Sequence, residues 1–337
     1  MSASSGPHAL ERALEAARTG AVVCEDTALG LLVASGADAA AFLHAQLSSD
    51  VQNLARTAGQ WTSYNSPKGR MLATAYLYRR AAADGDAFVA LLSRDLVQAI
   101  VRRLSMFVLR SKVRIVDASV DHRVLGVGGP KAAAAIDGAF GQHPPAGGVD
   151  THGGTDVVAM PDGRFVVVCA VETASSALGA LATHAEPAGA EVWRWLAVQS
   201  GVAVVDASTQ DAFVPQTANW DAIGGLDFRK GCYPGQEIVA RTQYLGRLKE
   251  RLFRFASDAP PPPSGTRLYG EAFDGQATGT VVISAPSPSG GSEFLAVVQQ
   301  AALEAGPLAI GAPEGIRAVP LPLPYDLPAP TARPPRL

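Results

Sequence analysis

The amino-acid sequence predicts an α+β protein built in several parts, and three observations carry that expectation. At 337 residues the chain exceeds what one hydrophobic core ordinarily serves, taking roughly 100 to 200 residues per domain. Residues 120–185 read as strand, helix, two strands and helix, an order that suits a small ferredoxin-like sandwich. Beyond Arg254, short strand-like pieces alternate with Gly, Pro and Ser turns, the texture of a small all-β domain.

The elements follow in order. Met1 to Gly20 sets Glu11 and Glu15 among alanines and lacks the basic-then-apolar order of a secretory signal. Asp38 to Ser48 places Ala39, Phe42, Leu43, Gln46 and Leu47 on one helical face, with Asp38 as N-cap. Trp61–Asn65 and Met71–Arg80 flank Ser66-Pro67-Lys68-Gly69, whose proline and glycine mark a turn between two strands. Asp84-Gly85-Asp86 ends the second strand and Phe88–Leu92 makes a third. Ser93 stands where it caps a helix carrying Leu96, Val97, Ile100, Val101 and Leu104, and a strand through Val113, Ile115 and Val116 follows.

A second unit begins near Val120 with a strand over Arg123–Val127. Pro130 suits the first position of a helix reaching about Ala139. Asp162-Gly163 joins two strands, the later one Arg164–Ala170, and Thr173–His184 reads as a helix. Glu191–Ser200 is a further helix with Trp193, Leu196 and Ala197 on one face. Pro260–Pro263 reads as a stiff linker before strands over Gly279–Ile283 and Phe294–Gln299. From Val319 the recurring prolines read as an extended or disordered tail.

Composition excludes some functions. The chain is 47% hydrophobic and 18% charged with a formal charge of -3, so no general attraction to nucleic acid or acidic membrane is expected. No basic stripe with interleaved aromatics is read, which argues against direct nucleic-acid binding. Nowhere do about 20 uninterrupted apolar residues occur, so a cytoplasmic protein without a membrane partner is the expectation. The three cysteines, Cys24, Cys169 and Cys232, form no C-x-x-C pair, and the six histidines lack metal-ligand spacing. Gly126-Val127-Gly128-Gly129 lacks the G-x-G-x-x-G spacing of a phosphate loop and reads as a strand-to-helix turn.

One segment stands apart. Lys230-Gly231-Cys232-Tyr233-Pro234-Gly235-Gln236-Glu237 gathers a cation, a thiol, an aromatic, two glycines, an amide and a carboxylate. It reads as a tight loop feeding a short helix or strand. Cys24 and Cys169 lie in apolar runs and read as buried. Beside Lys230 and a helix start, Cys232 is favoured as thiolate, able to bind a metal or cluster transiently or to exchange disulfides; the competing reading is a buried thiol packing the loop. A single cysteine cannot hold an iron–sulfur cluster alone, so other ligands or a partner would be needed.

Phe213-Val214-Pro215-Gln216, Asn219-Trp220-Asp221, Gly224-Gly225, the eight-residue motif, Ile238-Val239-Ala240-Arg241 and Gly246 resemble the YgfZ-like folate-binding proteins. These are relatives of the glycine-cleavage T protein, an aminomethyltransferase. Phe42 to Val51 and Pro67-Lys68-Gly69-Arg70 are similar too, and the likeness spans nearly all of residues 21–318. The resemblance implies a T-protein-like fold: a central folate-binding body (21–119 and 186–250), a ferredoxin-like insert (120–185) and a C-terminal β-barrel (251–318), between an N-terminal segment (1–20) and a Pro-rich tail (319–337). It implies tetrahydrofolate or a derivative as ligand, and support of iron–sulfur cluster assembly or repair and, through it, tRNA modification, with iron–sulfur assembly or client proteins as partners. Carried onto this chain, the folate contacts become Gln199, Lys68, Arg70, Trp220, Lys230, Tyr233, Gln236, Glu237 and Arg241. Lys230 and Arg241 can meet the acidic glutamyl tail, or pair with Glu237 instead.

Two departures from the family pattern matter. Leu72 and Ala73 stand where aminomethyltransferases carry paired aspartates, and neither can take a proton. Gln199 stands where relatives place a pterin-binding glutamate, and an amide cannot make the same charge-assisted bidentate pair. A binding protein with Cys232 as its key residue is therefore preferred over the alternative, a tetrahydrofolate-dependent aminomethyltransferase or demethylase.

Overall fold

Alternating apolar runs build the first of two compact units, Met1–Phe42, Asn53–Gln60 and Tyr76–Leu196. The computed structural model describes residues 7–82, 85–244 and 248–328; Asp84 of the expected turn, Gly246 and the tail from residue 329 lie outside them. Along the chain come α1 (Pro7–Thr19), β1 (Val22–Cys24), β2 (Leu29–Ser35), α2 (Ala39–His44), β3 (Gly59–Asn65), β4 (Met71–Ala82), β5 (Gly85–Ser93), α3 (Arg94–Ser105) and β6 (Arg114–Asp117). Then follow β7 (His122–Gly128), α4 (Ala132–Phe140), β8 (Val149–His152), β9 (Thr155–Ala159), β10 (Phe165–Ala170), α5 (Val171–Ala182), β11 (Glu186–Ala188) and α6 (Ala190–Gln199).

Val23, Leu125, Val127, Val157, Phe165, Val167 and Cys169 alternate inward on a six-stranded sheet of order β11-β1-β7-β10-β9-β8. Ala135, Ile136, Ala177 and Leu181 of α4 and α5 complete that core. The expected strand–helix order thus stands, with β1 and β11 added at one edge and β8 at the other. Gly126 admits the indole of Trp193, since a Cβ there would lie 2.4 Å from the ring. A second sheet has the order β3-β4-β5-β2-β6, and β3 and β4 each pass into the second unit along their length.

Three expected helix starts are corrected. Ser93 precedes α3 but its side chain makes no cap hydrogen bond, so burial of Leu96, Val97, Ile100 and Leu104 holds the helix. The carboxylate of Asp38 accepts from the backbone N–H of Lys112 at 2.7 Å, and α2 stops at His44 rather than Ser48. Pro130 lies outside α4, whose preceding residue is Lys131.

The second unit is Leu43–Gln52, Trp61–Ala75 and Ala197–Leu337. It holds a 3-10 turn at Pro215–Ala218, α7 (Gln236–Tyr244) and the C-terminal strands. Those strands are β12 (Glu250–Ser257), β13 (Arg267–Gly270), β14 (Ala277–Pro286), β15 (Ser292–Gln299), β16 (Leu308–Ile310) and β17 (Ile316–Leu321), with α8 (Gln300–Ala305) before β16. They close a barrel in the order β12-β15-β14-β13-β16-β17 around Phe255, Leu268, Val281, Phe294 and Val298. Pro260–Pro263 therefore is a loop inside the barrel, between β12 and β13, and not a linker before it; Pro262 accepts a hydrogen bond from Ser284 at 2.6 Å. Val319 to Leu321 are extended, as their prolines require, and pair with β12 as the closing strand. Tyr325 then donates to the Gly201 carbonyl at 2.7 Å and accepts from Asn219 at 3.3 Å.

Candidate functional site

All the residues of the site lie in the second unit. Glycine chemistry makes it possible: Gly69 closes the β3–β4 turn at φ +71, and Gly235 precedes α7 at φ +77. A Cβ on Gly235 would lie 2.4 Å from the Ser66 carbonyl and 2.6 Å from the Gly69 Cα. Backbone therefore packs directly on backbone, and the start of α7 sits on the Ser66–Gly69 turn.

Lys230 anchors the other end of the loop. It is 8% exposed, and its ammonium donates to the carbonyls of His44 and Leu47, which α2 and its following turn leave without helical partners. The same Nζ lies 4.7 Å from the centre of the Tyr233 ring. Burial pushes its pKa down to about 8, while Asp50, Asp227 and Cys232 oppose the fall. Neither Lys230 nor Arg241 pairs with Glu237 among the described residues, so the ion-pair reading of these residues is corrected; Glu237 and Arg241 are exposed.

Cys232 is exposed and Cys24 and Cys169 are buried. The reading of Cys232 as a packed, buried thiol is thereby removed. Burial pushes the Cys24 thiol up to about 12, which keeps it protonated. No group of three or more His, Cys, Asp or Glu side chains is placed to hold a metal among the described residues. Tyr233 is buried, and its backbone N–H donates to Gln236 Oε1 at 3.3 Å, closing the loop on the first turn of α7.

Trp220 is fully buried and meets Trp61 edge to face, with centroids 5.8 Å apart. Gly225 leaves room for it, since a Cβ there would lie 2.1 Å from the indole. The segment is tied to β12: Arg251 makes a bidentate pair with Asp221 at 2.6 and 2.9 Å and donates to the Gln216 carbonyl at 2.9 Å. Asn219, at φ +61, donates to the Leu252 carbonyl at 2.9 Å.

Buried side-chain polar atoms without a hydrogen bond among the described residues include those of three residues in this part of the fold. They are both amide atoms of Asn65, the carbonyl oxygen of Gln216 and the indole N–H of Trp220. Asn65 is 1% exposed and Gln216 1%, and an unpaired buried polar group costs about 1–3 kcal/mol. Their elements adjoin: Asn65 ends the strand that carries Trp61 to Trp220, and the Gln216 amide donates to Val239 of α7 at 2.7 Å. Sequence reading selects Trp220 and passes over Asn65 and Gln216, because only burial distinguishes them.

The remaining expected contacts are more dispersed. Lys68 and Arg70 are exposed on the β3–β4 turn, and Arg70 donates to the Ala212 carbonyl. Gln199 is not with the unpaired atoms' partners: its Nε2 donates to Glu293 of β15 at 2.7 Å, beside Arg254, which donates to the same oxygen at 2.7 Å. Leu72 and Ala73 are buried in β4, 9% and 3% exposed, and bring no ionisable group.

No protein-family model matches the chain. Over 265 residues it is 34% identical to the tRNA-modifying protein YgfZ of Enterobacter sp. (strain 638), covering 77% of this chain and 78% of that one. The protein of the same name from Escherichia coli (strain K12 / DH10B) is 33% identical over 266 residues, with the same coverage. Among solved structures, glycine cleavage system aminomethyltransferase T from Bartonella henselae superposes with a TM-score of 0.74 at 16% identity, over 93% of this chain and 88% of that one. The fold is thus T-protein-like.

Proposed function

The chain belongs to the YgfZ family, and from that premise we propose that it is a tetrahydrofolate-binding accessory protein acting in tRNA modification by supporting iron–sulfur enzymes, with Cys232 as its reactive group. The observation that carries the folate part is the set of unpaired buried atoms on Asn65, Gln216 and Trp220. A pterin offers donors and acceptors along one edge and a flat apolar face. Gln216 Oε1 is of the type to accept from such an edge, the Asn65 amide to donate and accept, and the Trp220 N–H to donate, so the polar chemistry present matches the group. Gln199 spends one of its two amide N–H groups on Glu293, which leaves the other N–H and the carbonyl oxygen for a ligand. Lys68, Arg70 and Arg241, exposed cations, are suited to an anionic glutamyl tail, whereas Lys230 serves chiefly to hold the loop that includes Tyr233, Gln236 and Glu237.

Bound tetrahydrofolate supplies amine nitrogens that accept one-carbon units. Leu72 and Ala73 give the chain no carboxylate to move a proton there, which disfavours aminomethyl transfer. Cys232 is presented to solvent on a loop fixed at both ends, where it can meet a partner protein's cluster or thiol. Titration with tetrahydrofolate, read by tryptophan fluorescence, tests the ligand: Asn65→Ala and Gln216→Ala should each weaken binding about tenfold. Unchanged affinity in both variants would overturn the pocket. In cells lacking the gene, restoration of tRNA modification by wild type but not by Cys232→Ala supports the thiol's role, and equal restoration sinks it.

A further inference from the structure

Between Arg102 and Arg114 stand five cations and no acid, in a chain whose net charge is -3. This run ends α3 and forms the turn into β6, all within the first unit. Arg102, Arg110, Lys112 and Arg114 are exposed, and none of the five cations has an acidic partner among the described residues. The tip between them carries Met106, Phe107 and Leu109, 64%, 47% and 89% exposed. Leu109 sits at φ +46, a conformation that non-glycine residues adopt only when their surroundings impose it.

The surroundings do impose it. Phe107 N–H donates to Leu104, Ser111 N–H to Val108 and Val113 N–H to Ser111. The far end is pinned where Lys112 N–H meets the Asp38 carboxylate at 2.7 Å and Asp38 N–H meets the Lys112 carbonyl at 3.3 Å. The Asp38 carboxylate is engaged by that backbone N–H and forms no ion pair with the five side-chain cations among the described residues. The result is a preformed apolar wedge flanked on both sides by unpaired positive charge.

We propose that this turn docks RNA of the tRNA kind, the cations meeting phosphates and Phe107, with Met106 and Leu109 beside it, wedging against unstacked loop bases. The charge calls for a polyanion, and apolar side chains between cations are the means by which proteins insert between bases or hold splayed ones. This revises the expectation drawn from overall charge, which averages the run away. The proposal rests on the tRNA-modification reading above.

Binding of fluorescein-labelled bulk tRNA to the full chain, followed by anisotropy across salt concentrations, tests it. With about four phosphate contacts, log K should fall against log salt with a slope of roughly -3 to -4. Arg110→Glu with Lys112→Glu should weaken binding more than tenfold and reduce the slope by about two, and Phe107→Ala should weaken it roughly tenfold with the slope unchanged. Arg102→Gln with Arg114→Gln provides a second charge variant, and thermal melting checks that each is folded. No tRNA binding by wild type, or equal binding by both charge variants, overturns the proposal. So does binding to phosphatidylglycerol vesicles that Met106→Ser with Leu109→Ser abolishes while tRNA binding stays unchanged, which would make the turn a membrane contact. If wild type restores tRNA modification in cells but does not bind tRNA, docking fails and the reading above stands; if tRNA binds here while loss of the gene leaves tRNA modification intact, that reading fails instead.

Discussion

Replacing Gly235 with alanine probes the joint on which the candidate site depends. Two costs add at this position. A non-glycine residue in the left-handed region costs about 1–2 kcal/mol, and Gly235 stands at φ +77. The new methyl would also lie 2.4 Å from the Ser66 carbonyl and 2.6 Å from the Gly69 Cα, backbone atoms that cannot rotate away, and overpacking of that kind costs about 1–3 kcal/mol. The sum is about 2–5 kcal/mol. Urea unfolding followed by tryptophan fluorescence reads it, and with an m-value of about 3 kcal/mol/M the midpoint falls by roughly 0.7 to 1.7 M. Two controls separate the terms. Gly224 has φ +76, and a methyl added there would meet nothing within 4 Å, so Gly224→Ala should show the backbone cost alone. Gly231→Ala meets only the His44 ring, at 3.6 Å, and should stay within about 0.5 kcal/mol of wild type. If Gly235→Ala is no worse than Gly224→Ala, the close approach of α7 to the β3–β4 turn is refuted.

Lys230, with its pKa pushed down to about 8 from an ordinary 10.5, should titrate by side-chain NMR near pH 8. Between about pH 8 and 10.5 the unfolded chain then holds more protons than the folded one, so this group's contribution to stability rises with pH; the stability of wild type relative to Lys230→Met should grow over that window, and a flat difference would contradict the burial. Gln199→Glu would set a second carboxylate against Glu293 with Arg254 as the shared cation, raising the folded-state carboxyl pKa. Destabilisation of roughly 1–3 kcal/mol at pH 7 should therefore lessen as pH falls toward 4, and pH-independent denaturation midpoints relative to wild type would rule out that contact. Cys232 should react with iodoacetamide in the folded protein while Cys24 and Cys169 react only on unfolding; mass spectrometry showing equal labelling would contradict their burial.

Much of this is legible from local pattern. The Ser66–Gly69 turn, α3, the strand–helix order of residues 120–185 and the burial of Cys24 and Cys169 all follow from periodicity and neighbours a few residues away. What escapes depends on distant partners. The Lys230 ammonium looks like a free ligand for an anion in sequence, but its partners are the carbonyls of His44 and Leu47. Pro260–Pro263 has linker composition, yet its place is decided by Ser284 and by a strand that precedes it. Asn65 and Gln216 carry no signal of their own, since an amide shows its lack of partners only once it is buried. The basic turn at Arg102–Arg114 is hidden by averaging, because the -3 of the whole chain says nothing about one loop.

The closing strand of the barrel bears on how the chain is made. β17 leaves a ribosome after every other barrel strand, and the second unit also needs Leu43–Gln52 and Trp61–Ala75 from far earlier in the chain. Until β17 emerges, β12 and β16 each present an unpaired edge, and the early segments of this unit wait through more than a hundred residues of synthesis for theirs. Closure of the barrel is thereby deferred until β17 has been made, and a chain cut before β17 leaves a barrel that cannot close.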